Sequence, residues 1–535
     1  MQSNMVHQFS QVPRANIPRS SFQRNATWKG TYDADYLIPV LLEDCIPGDT
    51  ASVRCQFFTR LLSPTVSPLN DNLYMDSFFF FVPYRLVWDN FEKFHGSQVD
   101  PGDSIDYTIP ALTTGLTLST SGRLADYFGL PLTVDTTNDT ISCLPFRAYR
   151  LIYNEWFRAQ DLQDSVTMVT DDGPDTNAET GAQSLPLKRN KRFDYFTSAL
   201  PSPQKGDAVD LPLGTEAPVF GDSAVSAGSK VLVQEHDATG STGDVWELDV
   251  GASAQLEYDA TLTTSANLKA DLSNATAATI NDLRLAFQTQ RLVERDARSG
   301  TRYPEMILAH YGVTVPDFRV QRPEFLGGGS TPIVLSNIGQ TTYQGTQTLQ
   351  DAKGALASIG VASGEHSFTA SFVEHGMLIG LINVRSDITY SQGLDRYWSK
   401  STRYDFYYPV LAQIGEQSIL NQEIYHQSSP GTGASQDQGT FGYIPRYDEY
   451  RYKNSLLTGL MRVDAASNLD EYHLSEDFAS LPTLGDSFIQ SNTASPLDRA
   501  IAVPSQPQFL TDIFFKMRWA RPMPVHGVPG NLDHM

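Results

Sequence analysis

Residues able to do covalent chemistry are plentiful in this chain, but they do not stand at the spacings that chemistry needs. Glu374 and His375 adjoin, and His366 lies nine residues before His375. A metal needs ligands that converge on one point, whereas neighbours on a strand point to opposite faces, so this trio is not expected to hold one. Cys45, Cys55 and Cys143 are widely separated. They offer neither a zinc spacing nor a closed disulfide framework and read as reduced structural thiols. Gly327 to Gly329 in "LGGGSTPI" lack the Lys-Ser/Thr of a phosphate loop and read as a flexible turn. No G-x-S-x-G elbow occurs. The 61 acidic residues leave a glycosidase-type carboxylate pair open, but nothing singles one out. The expectation is a protein that is not an enzyme and uses no cofactor or metal.

The chemistry with a readable pattern is cationic. Residues 1 to 32 carry Arg14, Arg19, Arg24 and Lys29 and no acidic residue, and Pro13 and Pro18 exclude a helix there. Residues 1–35 read as an extended basic arm, with those four side chains as candidates for nucleic-acid contact; a frayed terminus is the plainer alternative. A second pattern lies in "NDLRLAFQTQRLVERDARSG", where Arg284, Arg291, Arg295 and Arg298 are spaced by seven, four and three. On a helix begun by Asn281 they form one stripe, with Leu285, Leu292 and Val293 away from it. The stripe reads as a subunit interface, or as a solvated face paired with Glu294 and Asp296.

The elements that must carry these residues are mostly strands. "YLIPVLL", "SVRCQFFTRLL" and "SFFFFVP" are strands, and Tyr84 to Phe94 turns helical. Residues 145–162 read as a buried helix with Pro145 in its first turn. In 206–280 twelve Asp and Glu face only Lys230 and Lys269, which suggests a small folded surface insertion. The segment 366–390 holds the longest strand signal, 447–462 a loop leading into a helix, and 508–527 a late strand before a Pro-rich tail. Strands near both ends predict one β core closed by both termini, with the middle inserted. The implied division is 1–35, 36–205, 206–280 and 281–535.

The chain has 535 residues, 40% of them hydrophobic, 19% charged and 11% aromatic, with a formal net charge of -22. So acidic a chain does not coat a polyanion as a whole, and nucleic-acid contact would need local basic patches. Neither a signal peptide nor an apolar run long enough for a membrane is apparent, so no membrane insertion is expected. Phe78 to Phe81 are the sharpest structural clue. On a strand Phe78 and Phe80 face one way, Phe79 and Phe81 the other. Each exposed Phe would forfeit about 1.5–3 kcal/mol of burial, so both faces need a cover. Tyr84 to Phe94 or a neighbouring subunit is the candidate for the second one.

Several stretches resemble the major capsid protein of the gokushoviruses, small single-stranded DNA phages of the microvirus group. They are "VPYRLVWDNFEKFHG", "FDYFTSALPSPQKG", "RYPEMILAHYGV", "RPEFLGGGSTPI" and "FGYIPRYDEYRYKNSLLTGLMR", and the opening from "HQFSQVPRANIPRSS" onward is similar too. The resemblance implies a mainly β fold, an eight-stranded antiparallel jelly roll with long helix- and strand-containing insertions. It implies a homo-oligomeric icosahedral (T=1-type) shell around circular single-stranded DNA, formed in the bacterial host cytoplasm and located in the virion. Further implied partners are internal scaffolding and minor virion proteins, and a bacterial surface receptor met by a threefold spike at 206–280. The basic arm would lie inside the particle. The competing readings are a carbohydrate-binding or carbohydrate-active β-sandwich and a receptor-binding module such as a phage fibre head.

Overall fold

Alternation of apolar and polar residues gives a strand one dry face, whereas an unbroken apolar run must be covered on both. Both kinds occur in the computed structural model. It describes residues 18–206, 219–221, 231–236, 242–250, 256–259, 268–270, 280–299, 308–310, 321–339, 341, 356–427 and 434–526. Arg14 lies outside them. The chain divides into two compact units, Met1–Pro203 with Val315–Met535, and Gln204–Thr314.

The first unit begins with strands β1 (Ser20–Gln23), β2 (Ala26–Tyr32), β3 (Ile38–Cys45), β4 (Thr50–Leu61) and β5 (Leu73–Pro83). The second unit contains β6 (Val219–Gly221), β7 (Val231–His236), β8 (Thr242–Val250), β9 (Leu256–Asp259) and β10 (Leu268–Ala270). The helix Ile280–Ser299, here called the ridge helix, also belongs to it. The first unit resumes with β11 (Glu324–Gly339), β12 (Leu356–Ser371), β13 (Gly376–Ser386), β14 (Glu416–Leu420), β15 (Thr440–Pro445) and β16 (Phe509–Arg521).

Among the described residues, nine strands form one curled antiparallel sheet in the order β1-β16-β4-β12-β11-β5-β13-β3, with β2 also on β16. β11 makes the curl. Its first part, Glu324 to Ile333, pairs with β5, and its last part, Val334 to Gly339, pairs with β12. The architecture is that of a capsid-type jelly roll with helical loops. Nine strands fill eight positions, because β1 and β2, from residues read as an arm, lie end to end along one edge of the C-terminal β16. Both termini thus close the core, as the strands at the two ends suggest.

β4 and β16 alternate strictly. Val53, Cys55, Phe57 and Leu61 of β4, and Phe509, Ile513, Phe515 and Trp519 of β16, enter the core between the two halves of the sheet. β5 and β13 are buried on both faces. Phe79 meets Phe368 at 5.0 Å between ring centroids and Phe81 meets Phe372 at 4.7 Å, all inside the curl. Phe80, Val82, Met377, Ile379 and Leu381 point outward into a second core. Its cover is the helix Leu144–Ile152 and the π-turn Tyr153–Phe157, with Val87 and Trp88. The stretch after Pro83 shares in this cover through Tyr84, Val87, Trp88 and Phe91, but its helical structure is limited to the 3-10 turn Tyr84–Leu86 and the single turn Phe91–Phe94.

Two local expectations are corrected. Gly327 to Gly329 are not a turn but part of β11, pressed between β5 and β12. A Cβ at Gly328 would overlap the Ser77 carbonyl, and one at Gly329 would strike the His366 ring. The glycines therefore serve close backbone approach. In 447–462 the only helical pieces are the 3-10 turns Asp448–Tyr450 and Gly459–Met461, and Leu456 and Leu460 are exposed.

Candidate genome-contact and assembly surfaces

The insertions are held onto the sheet by buried charges, which cost much desolvation and persist only when fully paired. Arg147, on the covering helix, is completely buried. Its Nε donates to Asp175 Oδ2 at 2.7 Å and its Nη2 to Asp175 Oδ1 at 2.5 Å. Its Nη1 donates to the carbonyls of Val87 at 2.9 Å and Asp171 at 2.8 Å. On the sheet, Asp76 receives both Arg189 and Arg385, and buried Lys191 meets buried Glu476 at 2.8 Å. These pairs fix loops in place and leave little for chemistry.

The His, Cys and Glu side chains best suited to chemistry are engaged structurally. Glu374 accepts from Arg85 Nε at 2.6 Å, while His375 lies against His95 at 4.8 Å between ring centroids. The two neighbours have separate partners. His366 sits between the hydroxyls of Ser77, 2.6 Å from Nδ1, and Thr331, 3.1 Å from Nε2. Among the described residues no group of three His, Cys, Asp or Glu is placed to hold a metal. Cys45, Cys55 and Cys143 are buried and unbridged, and burial pushes the Cys55 and Cys143 thiols up to about 12.

Three exposed surfaces remain. The first is the outer face of the β4–β16 half of the sheet, which no described insertion covers. It displays Arg54 and Arg60 from β4, Lys516 and Arg518 from β16, and Lys29 from β2. Phe58 and Phe514 stand among them, 47% and 39% exposed. Register sets Lys516 directly opposite Arg54. Asp512, 3.2 Å from Lys29, and Glu365, 3.7 Å from Arg54, offset part of this charge through ion pairs. Arg19 and Arg24 lie at the margin. Arg19 donates to Thr50 Oγ1 at 2.7 Å, and Arg24 pairs with Glu43 and lies over Trp519. Composition alone misses this patch, although Arg54 and Arg60 alternate with buried residues along β4, a signal visible in the sequence.

The second surface is aromatic. Tyr397, Trp398, Tyr404, Phe406, Tyr407 and Tyr408 are all exposed. Lys400 lies 4.2 Å over the Tyr450 ring and Arg403 lies 4.8 Å over Tyr404. Exposed aromatics with cations are typical of protein interfaces. The third is the ridge helix, on which Arg284, Arg291, Arg295 and Arg298 are all exposed. Glu294 accepts a 2.8 Å hydrogen bond from Gln290, and Asp296 pairs with His310.

The curled sheet and the exposed contact-type surfaces fit a building block. Residues 10–531 match the family described as "Capsid protein (F protein)". The chain is 41% identical to the capsid protein VP1 of Bdellovibrio phage phiMH2K, over 98% of this chain and 97% of that one. It is 39% identical to the VP1 of Chlamydia phage 1, over 99% and 98%, and 32% identical to the VP1 of Spiroplasma virus 4, over 98% and 97%. The carbohydrate-active reading is not favoured. The chain belongs to the F-protein family of phage capsid proteins and is a gokushovirus-type major capsid protein, a structural subunit of the virion shell.

Proposed function

We propose that this subunit turns the open β4–β16 half of its sheet toward a circular single-stranded DNA genome and turns the helical cover of β5 and β13 away from it. The observation that carries this reading is the exposed row of Arg54, Arg60, Lys516 and Arg518 around Phe58 and Phe514. Like charges directly across a ladder destabilise it, so the facing Lys516 and Arg54 are better suited to a polyanion than to open solvent. Cations track phosphates without reading sequence, and exposed aromatic rings stack unpaired bases. Arg14, Arg19, Arg24 and Lys29 serve as secondary contacts.

In this reading the shell is icosahedral and of T=1 type. The insertion 206–280 forms a threefold spike that meets a bacterial surface receptor. Internal scaffolding and minor virion proteins assist assembly in the host cytoplasm. These finer points are supported by the resemblance to gokushovirus capsid proteins. The genome contact is tested by replacing Arg54, Arg60, Lys516 and Arg518 together with Gln and measuring DNA per particle. The expected result is intact shells with markedly less DNA; unchanged DNA content would overturn the assignment.

A further inference from the structure

The aromatic surface keeps more apolar area in solvent than a loop needs. In 401–410 every residue except Asp405 is exposed, and Val410 reaches 88%. A buried aromatic side chain covers about 150–250 Å², so the six exposed rings from Tyr397 to Tyr408, each open by about half or more, leave roughly 500 Å² uncovered. A standard interface takes about 800 Å² from each partner. The rings belong to one surface with the segment 446–454. Lys400 lies over both Phe406 and Tyr450, and Tyr407 meets Tyr450 at 6.2 Å between centroids. A recess of about 180 Å³ opens there, lined in part by Tyr397, Lys400, Tyr450 and Lys453.

The charge this surface offers to a partner is positive. Its acidic members are engaged inside it. Asp395 accepts from the Tyr397 N–H at 2.8 Å, Asp405 from the Thr402 N–H at 2.7 Å and Glu449 from Gln417 Nε2 at 2.7 Å. Asp448 pairs with Arg451, and Glu423 with Arg396. Lys400 and Arg403 donate instead to the hydroxyls of Tyr450 and Tyr404, and Lys453 is exposed.

The loop 97–109 carries the opposite charge with its own apolar contacts. It contains Asp100, Asp103 and Asp106 and no basic residue, although Lys93 precedes it. Val99, Ile105 and Ile109 are 86%, 51% and 52% exposed. Asp103 holds the loop in shape, its Oδ2 accepting from the N–H groups of Val99 and Asp100, each at 3.1 Å. Asp100 and Asp106 are exposed. The loop and the aromatic surface leave opposite ends of the β5–β13 ladder. Gly376 pairs with Pro83 at one end and Ser386 with Leu73 at the other, about 33 Å away at the rise of a strand. Ile109 stays at the first end, beside a cleft that Tyr84 and His375 also line. Asp387 stays at the second, its N–H donating to the Asn72 carbonyl.

The geometry points to a head-to-tail contact in which the acidic loop 97–109 of one copy docks on the aromatic, cationic surface of a second copy. Cations beside exposed rings are interface composition, and opposite charge fixes which surface is accepted. A contact between two different surfaces is heterologous, and a suitable rotation closes it into a ring. This inference rests on the shell role and adds which surfaces of the first unit meet.

The test uses the full chain and scores assembled particles by sedimentation and microscopy. Asp100→Lys with Asp106→Lys, and separately Lys400→Glu with Arg403→Glu, should each lower the assembled fraction about tenfold or more. All four changes in one chain should restore it to within about threefold of the parent. Wild-type assembly from either reversal, or no rescue by the combination, overturns the contact and leaves the shell role standing. If a reversal fails to fold, the parent chain decides. Particles built from isotopically heavy and unlabelled copies are treated with a carbodiimide, which joins a lysine to a carboxylate in direct contact. Peptides of mixed mass that join Lys400 or Lys453 to Asp100 or Asp106 support the contact. Their absence, while Lys29 and Asp512, 3.2 Å apart in one chain, are joined, overturns it.

Discussion

β4 and β5 have almost the same length, twelve and eleven residues, and lie in the same curled sheet, yet they treat their outer faces in opposite ways. β4 alternates, and Arg54, Gln56, Phe58 and Arg60 stay in solvent. β5 is apolar through its phenylalanines, and its outer face is sealed by the helix Leu144–Ile152 and the loops around it. Surface left uncovered in a protein that binds copies of itself is surface available for partners. The sealed half is therefore architecture, and the open half is where the proposed genome contact is made.

The hardest way to break this contrast is to place a charge on each kind of face. Phe80→Asp and Phe79→Asp put a carboxylate into the outer and inner core respectively, where both residues are 1% exposed, and each should abolish soluble folded protein. Phe514→Asp, on the open face, should leave folding intact. Soluble yield and thermal unfolding read the difference. A tolerated Phe80→Asp would mean that the outer face of β5 is not sealed.

Next in size is the pin that holds the cover. Asp175→Ala leaves Arg147 buried without its main partner and should cost about 3–5 kcal/mol in denaturant unfolding. Gly328→Ala comes third. The added methyl meets the Ser77 carbonyl, and overpacking of this kind costs about 1–3 kcal/mol. A neutral result would mean that β11 can shift away from β5.

Smaller still is a pH effect confined to the sheet and its cover. Burial holds the imidazoles of His366 and His375 below their ordinary value, and His95 adds to the effect at His375. Their neutral forms are thus favoured on folding. The stability this gives is complete above about pH 6.5, the unfolded value, and is lost as pH falls through the lowered folded values. His366→Gln should flatten the acid side of a stability-versus-pH curve; an unchanged slope would assign the acid sensitivity to other groups. The smallest effect is expected from Arg60→Gln and Arg518→Gln on the open face, within about 0.5 kcal/mol of the parent in monomer stability.

Much of the sheet is legible in the order of residues alone. The phenylalanine run announces a strand buried on both sides because a period of two leaves no other solution. Strands near each terminus announce closure of the core from both ends. The triple glycine misleads because glycine permits a turn and also permits close strand packing, and only the neighbours, Ser77 and His366, decide between them. The buried pins are hidden for a similar reason. Arg147 lies in a helix whose sequence is apolar on nearly all sides, and its partner Asp175 is 28 residues away across a loop. The open cationic face is written in the alternation of β4 and β16, but the cations come from distant parts of the chain and join only through the register.

The division of the sheet into a sealed half and a contact half is tested most directly by a three-dimensional reconstruction of the genome-filled particle. The account predicts Arg54, Arg60, Lys516 and Arg518 next to nucleic-acid density, with the helix Leu144–Ile152, which covers the other half of the curled sheet, turned away from it. Nucleic acid against the helical cover, with the β4–β16 face turned to the outside, would contradict it.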